Sequence, residues 1–120
     1  MKKNKTFVKG RIGEEFAVHE LMRRGIRTIA RNFRSEEGEI DLIGTEAETL
    51  VFVEVKNWTV QGIEDLGRAI NSKKRRRIVE TAKFFCQKYR QYSGMAIRFD
   101  ILFISKDAVK HIASAWSEQV

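Results

Sequence analysis

The sequence predicts an α/β protein built on a mixed central sheet of about five strands flanked by helices. Three observations lead to that class. Two segments carry apolar residues at helical spacing, and several others alternate with strand spacing. The segments follow the order helix, three strands joined by short polar turns, long helix, two strands. Hydrophobic residues make up 42% of the 120 positions, enough for one core and too many for a disordered chain. No apolar run approaches the roughly 20 residues needed to cross a bilayer. Met1 to Lys9 is basic without a following apolar stretch, so the expectation is a cytoplasmic protein forming one domain over residues 1–120.

Gly10 to Arg24 reads as the first helix. Glu14, Ala17, Val18, Leu21 and Met22 fall on one stripe, and Gly25 suits a C-terminal cap. The stripe begins with an acid, so Glu14, rather than Glu15 on the polar flank with His19 and Arg23, is expected to face the sheet. Ile26 to Arg34 is a first strand, Ser35 to Gly38 a turn, Glu39 to Gly44 a second strand and Thr45 to Glu48 a turn. Leu50 to Asn57 is the clearest strand, with Val51, Val53 and Val55 on one face and Leu50, Phe52, Glu54 and Lys56 on the other. Trp58 to Asn71 is less regular. Ser72 is a candidate N-cap for a helix reaching about Tyr89, whose stripe is Ile78, Ala82, Phe85 and Cys86 with Val79 nearby. Phe84 and Phe85 are adjacent, so only one can face the core fully. Ala96 to Ser105 and Lys110 to Trp116 complete the strands. Three strands with short turns imply an antiparallel meander, and the strand after the long helix is expected to join by a crossover.

The net charge of +7 is unevenly spread. Arg68 to Arg90 holds nine basic residues and one acid, Glu80, a local charge of +8, while the rest of the chain nets −1. Lys73, Lys74, Arg75, Arg76 and Arg77 load the first turns of the long helix, where cations oppose the helix dipole. A concentrated basic surface attracts polyanions, nucleic acid foremost, although a solvated helix face is the plain alternative. Cys86 is the one cysteine, so no internal disulfide forms, and no Cys/His cluster has zinc spacing. His19 and His111 stand alone in the sequence and are read as non-catalytic. Asp100, beside Arg98 in an apolar strand, is read as half of an ion pair or buried hydrogen bond.

One constellation carries chemistry. Glu54 and Lys56 are two apart on a strand and project from one face, opposite a purely valine face that should be buried. An acid and a lysine in such a strand are costly unless paired or metal-bound. Asp41 lies within the preceding strand, between Ile40 and Leu42, and a hairpin pairing would bring it to Glu54. Two close carboxylates repel unless a cation sits between them, and hard oxygen ligands suit Mg²⁺ or Mn²⁺. Glu14 could add a ligand, Lys56 could stabilise charge developing on a phosphate, and Glu39 shares a strand face with Asp41. The same short pattern also fits an ordinary ion pair on a half-exposed strand.

Gly13-Glu14-x-x-Ala17, Arg31-Asn32-x-Arg34, Gly38-Glu39-Ile40-Asp41-Leu42-Ile43, Leu50-Val51-Phe52-Val53-Glu54-Val55-Lys56, Lys74 and Arg98-Phe99-Asp100 together resemble the YraN-like family of bacterial proteins. The resemblance runs from about Gly10 to Trp116. It implies a restriction-endonuclease-like, resolvase-like fold, similar to archaeal Holliday-junction resolvases and the wider PD-(D/E)xK nucleases. It implies Glu14, Asp41, Glu54 and Lys56 as catalytic residues, with Asp41, Glu54 and the Val55 carbonyl as metal ligands. Lys74 matches a basic position at the start of the second long helix. Asn57-Trp58 departs from the family's usual threonine or serine followed by arginine, which removes a candidate phosphate contact.

The leading expectation is therefore a magnesium-dependent nuclease or nuclease-like DNA-binding protein, acting on branched or recombining DNA. Lys73, Lys74, Arg75, Arg77 and Arg34 are the expected nucleic-acid contacts. A homodimer is expected by analogy to resolvases, and Trp58 is weighed as a stacking residue and, ahead of that, a packing one. The rivals are a non-catalytic nucleic-acid-binding module on the same fold and a protein-interaction module docking an acidic partner.

Overall fold

The computed structural model describes residues 11–57, 70–105, 108–118 and 120. The expected helix start at Gly10, the stretch from Trp58 to Ala69 and the basic residue Arg68 lie outside the described residues. The elements are α1 (Arg11–Arg23), β1 (Arg27–Arg34), β2 (Glu39–Glu46), β3 (Thr49–Asn57), α2 (Ser72–Lys88), a 3₁₀ turn (Arg90–Tyr92), β4 (Ala96–Ile104) and β5 (Val109–Trp116). They form a mixed α/β fold with one five-stranded sheet ordered β1-β2-β3-β4-β5. β1, β2 and β3 make the antiparallel meander, β4 runs parallel to β3, and β5 returns antiparallel. No described helix is long and apolar enough to cross a membrane.

The two described α-helices cover opposite faces of the sheet, and that division decides where the site residues go. Strand alternation puts Val51, Val53 and Val55 on one face, each at most 3% exposed, and α1 buries Ala17 and Leu21 against them. The other face presents Ile43, Leu50, Phe52 and Phe99, which α2 covers with Ile78, Val79, Ala82, Phe85 and Cys86. Burying a side chain of this size contributes about 1.5–3 kcal/mol. Of the adjacent pair, Phe85 is the buried ring, in edge-on contact with Phe33 and Phe52, and Phe84 is left exposed. Met22 departs from the expected stripe and is 57% exposed. Position 22 is one step past Leu21, which is already turned fully inward, so the stripe is narrower than the sequence reading drew it.

Two helix ends explain local geometry. Gly25 adopts φ +90 just past α1, the left-handed conformation that lets the chain turn back into β1. The N-cap of α2 is Asn71, not Ser72: its side chain accepts the Lys74 amide proton at 2.9 Å. An amide oxygen reaches the third helical N–H from the position before the helix, whereas Ser72 is already helical. The meander turn is tighter than expected, because β2 extends to Glu46 and β3 begins at Thr49, with Ala47 at φ 52 between them.

Candidate active site

The β2–β3 ladder runs from Glu46↔Thr49 to Leu42↔Val53. Asp41 and Glu54 occupy the next positions along their strands. Here the Asp41 carboxylate accepts the Val55 N–H at 2.8 Å, so a side chain serves a main-chain donor where the hairpin ladder ends. The buried β3 amide is thereby satisfied, and the Asp41 carboxylate is anchored beside the strand that carries Glu54 and Lys56.

Glu54 is 4% exposed, on the face covered by α2. A buried carboxylate is costly without opposite charge and hydrogen bonds. Lys74, from the first turn of α2, places Nζ 2.9 Å from Glu54 Oε2, and Lys56 places its ammonium 3.8 Å from the same oxygen. Burial alone would depress the Lys74 ammonium, but its hydrogen bond to Glu54 and the charges of Glu54 and Asp41 outweigh that and raise its pKa. The helix, the cap and the buried acid therefore hold this lysine in common. Gly38 brings the β1–β2 turn close against α2, where an added Cβ would lie 3.3 Å from Arg77 Cβ. Ser35 and Thr81 make a hydroxyl contact at 3.2 Å across the same junction.

These elements bound a cleft of about 210 Å³ lined by Gly38, Glu39, Asp41, Glu54, Lys74, Arg77 and Ile78. Asp41 and Glu54 thus share a cleft, as expected, and Lys56 adjoins it through Glu54. Glu14 does not line it. Its carboxylate accepts from Asn32 Nδ2 and stands 4.0 Å from Arg31, both on β1. The expected third acid is therefore not among the residues that line the cleft. Glu14 does lean inward, but α1 packs on the valine face and Glu54 opens toward α2. Glu15 is the exposed partner of Arg31, at 2.7 Å. Glu39 lines the cleft and lies 3.7 Å from Arg34, whose side chain is otherwise open to solvent. Of the basic run, Lys73 and Arg77 are exposed, Arg75 is half-buried, and Lys74 and Arg77 reach the cleft. Trp58 lies outside the described residues.

Among the described residues no group of three or more His, Cys, Asp or Glu gathers as a metal site. The cleft offers two carboxylates, Asp41 and Glu54. That donor set fits Mg²⁺, which commonly takes one or two protein carboxylates and keeps several waters or substrate oxygens. A larger cavity of about 440 Å³ is bounded by Lys83, Cys86, Gln87 and Arg90 among others, with no acidic side chain among its described lining residues. Burial raises the Cys86 thiol pKa, so it is a poor nucleophile there.

Sequence reasoning missed one polar network. His111 does not stand alone: its Nε2 lies 2.8 Å from Asp100 Oδ2. Asp100 is fully buried and also accepts from Arg98 Nε and Nη2, each at 2.9 Å, and from the Ser114 amide at 3.0 Å. Arg98 continues to Glu46 at 2.5 Å. Burial would raise the Asp100 pKa, but the bonds from His111, Arg98 and Ser114 overcome it and lower the value. The expected ion pair of Asp100 with Arg98 is present, and the network ties β2, β4 and β5 together.

A mixed α/β scaffold with two carboxylates and a lysine-lined cleft at the end of a β-hairpin defines the class. The chain belongs to the family described as uncharacterised protein family UPF0102, whose model matches residues 13–104. It is 41% identical over 98 residues to a UPF0102 protein of Treponema pallidum (strain Nichols), covering 82% of this chain and 78% of the relative. It is 40% identical over 111 residues to one from Persephonella marina, covering 92% and 95%. A third, from Herminiimonas arsenicoxydans, is 33% identical over 106 residues, covering 88% and 84%. The matched span contains the cleft residues from Gly38 to Ile78.

Proposed function

We propose that this protein is a divalent-metal-dependent nuclease of restriction-endonuclease-like architecture that binds DNA, with branched or recombining DNA as its substrate class. The observation that carries the reading is the buried Glu54 carboxylate, sharing a cleft with Asp41 and contacted by Lys74 and Lys56. Asp41, Glu54 and the Val55 carbonyl would hold Mg²⁺ or Mn²⁺. A bound ion of this kind polarises a phosphodiester and lowers the pKa of a water at neutral pH. The rest is the work of the chain. Lys56 presents an ammonium beside Glu54, placed to donate to a phosphate oxygen as negative charge accumulates. Arg77 lines the approach from α2 and holds the phosphate backbone, with Lys73 and Arg75 extending the basic surface. Asp41, through the Val55 amide, keeps β3 in register beside the reacting group.

The test is cleavage of duplex, single-stranded and four-way DNA with and without Mg²⁺ or Mn²⁺, with Asp41→Ala as control. Cleavage that needs the metal and Asp41 supports the reading; intact substrates throughout remove the enzymatic claim. Use of a two-fold junction would require a dimer, and light scattering showing only monomer at high concentration counts against that part.

A second reading draws on the Lys74–Glu54 contact. A carboxylate already paired at 2.9 Å suits a non-catalytic nucleic-acid-binding module whose site is a structural ion pair. It requires DNA binding that weakens steeply with salt and survives Asp41→Ala.

A further inference from the structure

Lys74 differs from its basic neighbours. Lys73 and Arg76 are exposed on α2, whereas Lys74 turns inward, four residues before the buried Ile78, and ends on a carboxylate that is 4% exposed. Asn71 caps its amide, so the backbone from which the side chain springs is fixed. The side chain itself is a flexible four-carbon stem, 42% exposed, at the lining of the cleft. Among the described residues, Lys56 from β3 and Lys74 from α2 pair with the Glu54 carboxylate, and Asp41 from β2 shares its cleft. The Lys74 ammonium lies nearer the Glu54 oxygen than that of Lys56 does, 2.9 against 3.8 Å.

We propose that Lys74 is the built-in counter-cation of this site, holding the Glu54 oxygen that a divalent cation would take, so that the lysine and the metal compete for it. The inference rests on the metal-site reading above. An ammonium and a dication on one carboxylate oxygen repel strongly at low effective dielectric. The ammonium is the one that can leave, because its flexible stem is 42% exposed and can turn to solvent. Lys74 therefore occupies the Glu54 oxygen and holds the cleft together without metal, and it swings away when metal enters. A purely structural lysine would give the opposite result on removal, since losing it would loosen the cleft and weaken any ligand bound there.

The deciding experiment is calorimetric titration of Mn²⁺, without DNA, into the full chain as wild type, Lys74→Met and Glu54→Gln. Methionine keeps much of the stem and deletes the charge. The expected result is at least tenfold tighter Mn²⁺ binding by Lys74→Met than by wild type, and none by Glu54→Gln. Equal or weaker binding by Lys74→Met overturns the competition and leaves the metal site standing. No binding by either wild type or Lys74→Met overturns both. If Lys74→Met does not fold, the wild type suffices. The NMR signal of the Lys74 ε-methylene, assigned by through-bond correlation, is followed as Mg²⁺ is added. It is expected to move in step with metal occupancy, and a signal unchanged at saturation overturns the proposal.

Discussion

Replacing Asp41 by alanine and by asparagine separates its two jobs. The carboxylate accepts the Val55 N–H at 2.8 Å, and Val55 is 3% exposed. Alanine leaves that amide without its acceptor, and an unsatisfied buried donor costs about 1–3 kcal/mol. Asp41 itself is half-buried, so water can reach part of the gap, and about 1–2 kcal/mol is the expected loss. With a urea m-value of about 1–3 kcal/mol/M, the unfolding midpoint falls by about 0.3–2 M. Asparagine keeps an acceptor oxygen and should stay within about 0.5 kcal/mol of wild type, the usual range for a substitution that breaks no buried contact. Magnesium then tests the other job. At a hundred times its dissociation constant a ligand stabilises the wild type by about 2.7 kcal/mol, and Asp41→Asn should lose most of that gain. Urea titrations followed by circular dichroism, with and without Mg²⁺, measure all of these. The reasoning is refuted if alanine costs nothing, or if asparagine costs as much as alanine, because the Val55 bond would then not be the structural contribution of Asp41.

Other outcomes follow from the same geometry. The Asp100 carboxyl lies below its ordinary 3.8 in the folded state, so its stabilisation is complete above that value and fades as pH falls through the lower one. Asp100→Asn should flatten the acid limb of the stability curve, and an unchanged limb would contradict the network. Phe85→Ala, which removes a ring packed against Phe33, Phe52 and Tyr92, should cost about 3–5 kcal/mol in denaturant unfolding. Phe84→Ala, at the exposed neighbour, should cost much less. Arg77→Ala should lower the slope of log K against log salt for DNA binding by about 1, the share of one phosphate contact; an unchanged slope removes Arg77 from the interface.

Much of this was legible in the sequence, and the gaps have physical causes. The valine alternation in β3 announced both its buried face and the oddity of Glu54 opposite, because a two-residue period leaves no freedom in direction. Asp41 was found for the same reason, as a charge inside an apolar strand. Glu14 was harder. Its stripe showed that it faces the sheet, but periodicity does not say which face of the sheet a helix covers. α1 took the valine face, and Glu14 met Arg31 and Asn32 there. Lys74 was hidden in a run of five cations. The signal was present in its spacing, since positions 74 and 75 precede the buried Ile78 and Val79 by one helical repeat and so lie on the side of α2 that turns toward the sheet, half-buried at its edge. His111 could not be joined to Asp100 before the β4–β5 register was known.

Mn²⁺ anomalous diffraction from crystals of the wild-type chain would locate the ion and its ligands in one measurement. The expected result is a single strong peak in the cleft, ligated by the Asp41 and Glu54 carboxylates, with Glu14 outside its coordination shell and Lys74 displaced. A cleft without a peak at saturating Mn²⁺, with Lys74 still on Glu54, would contradict it.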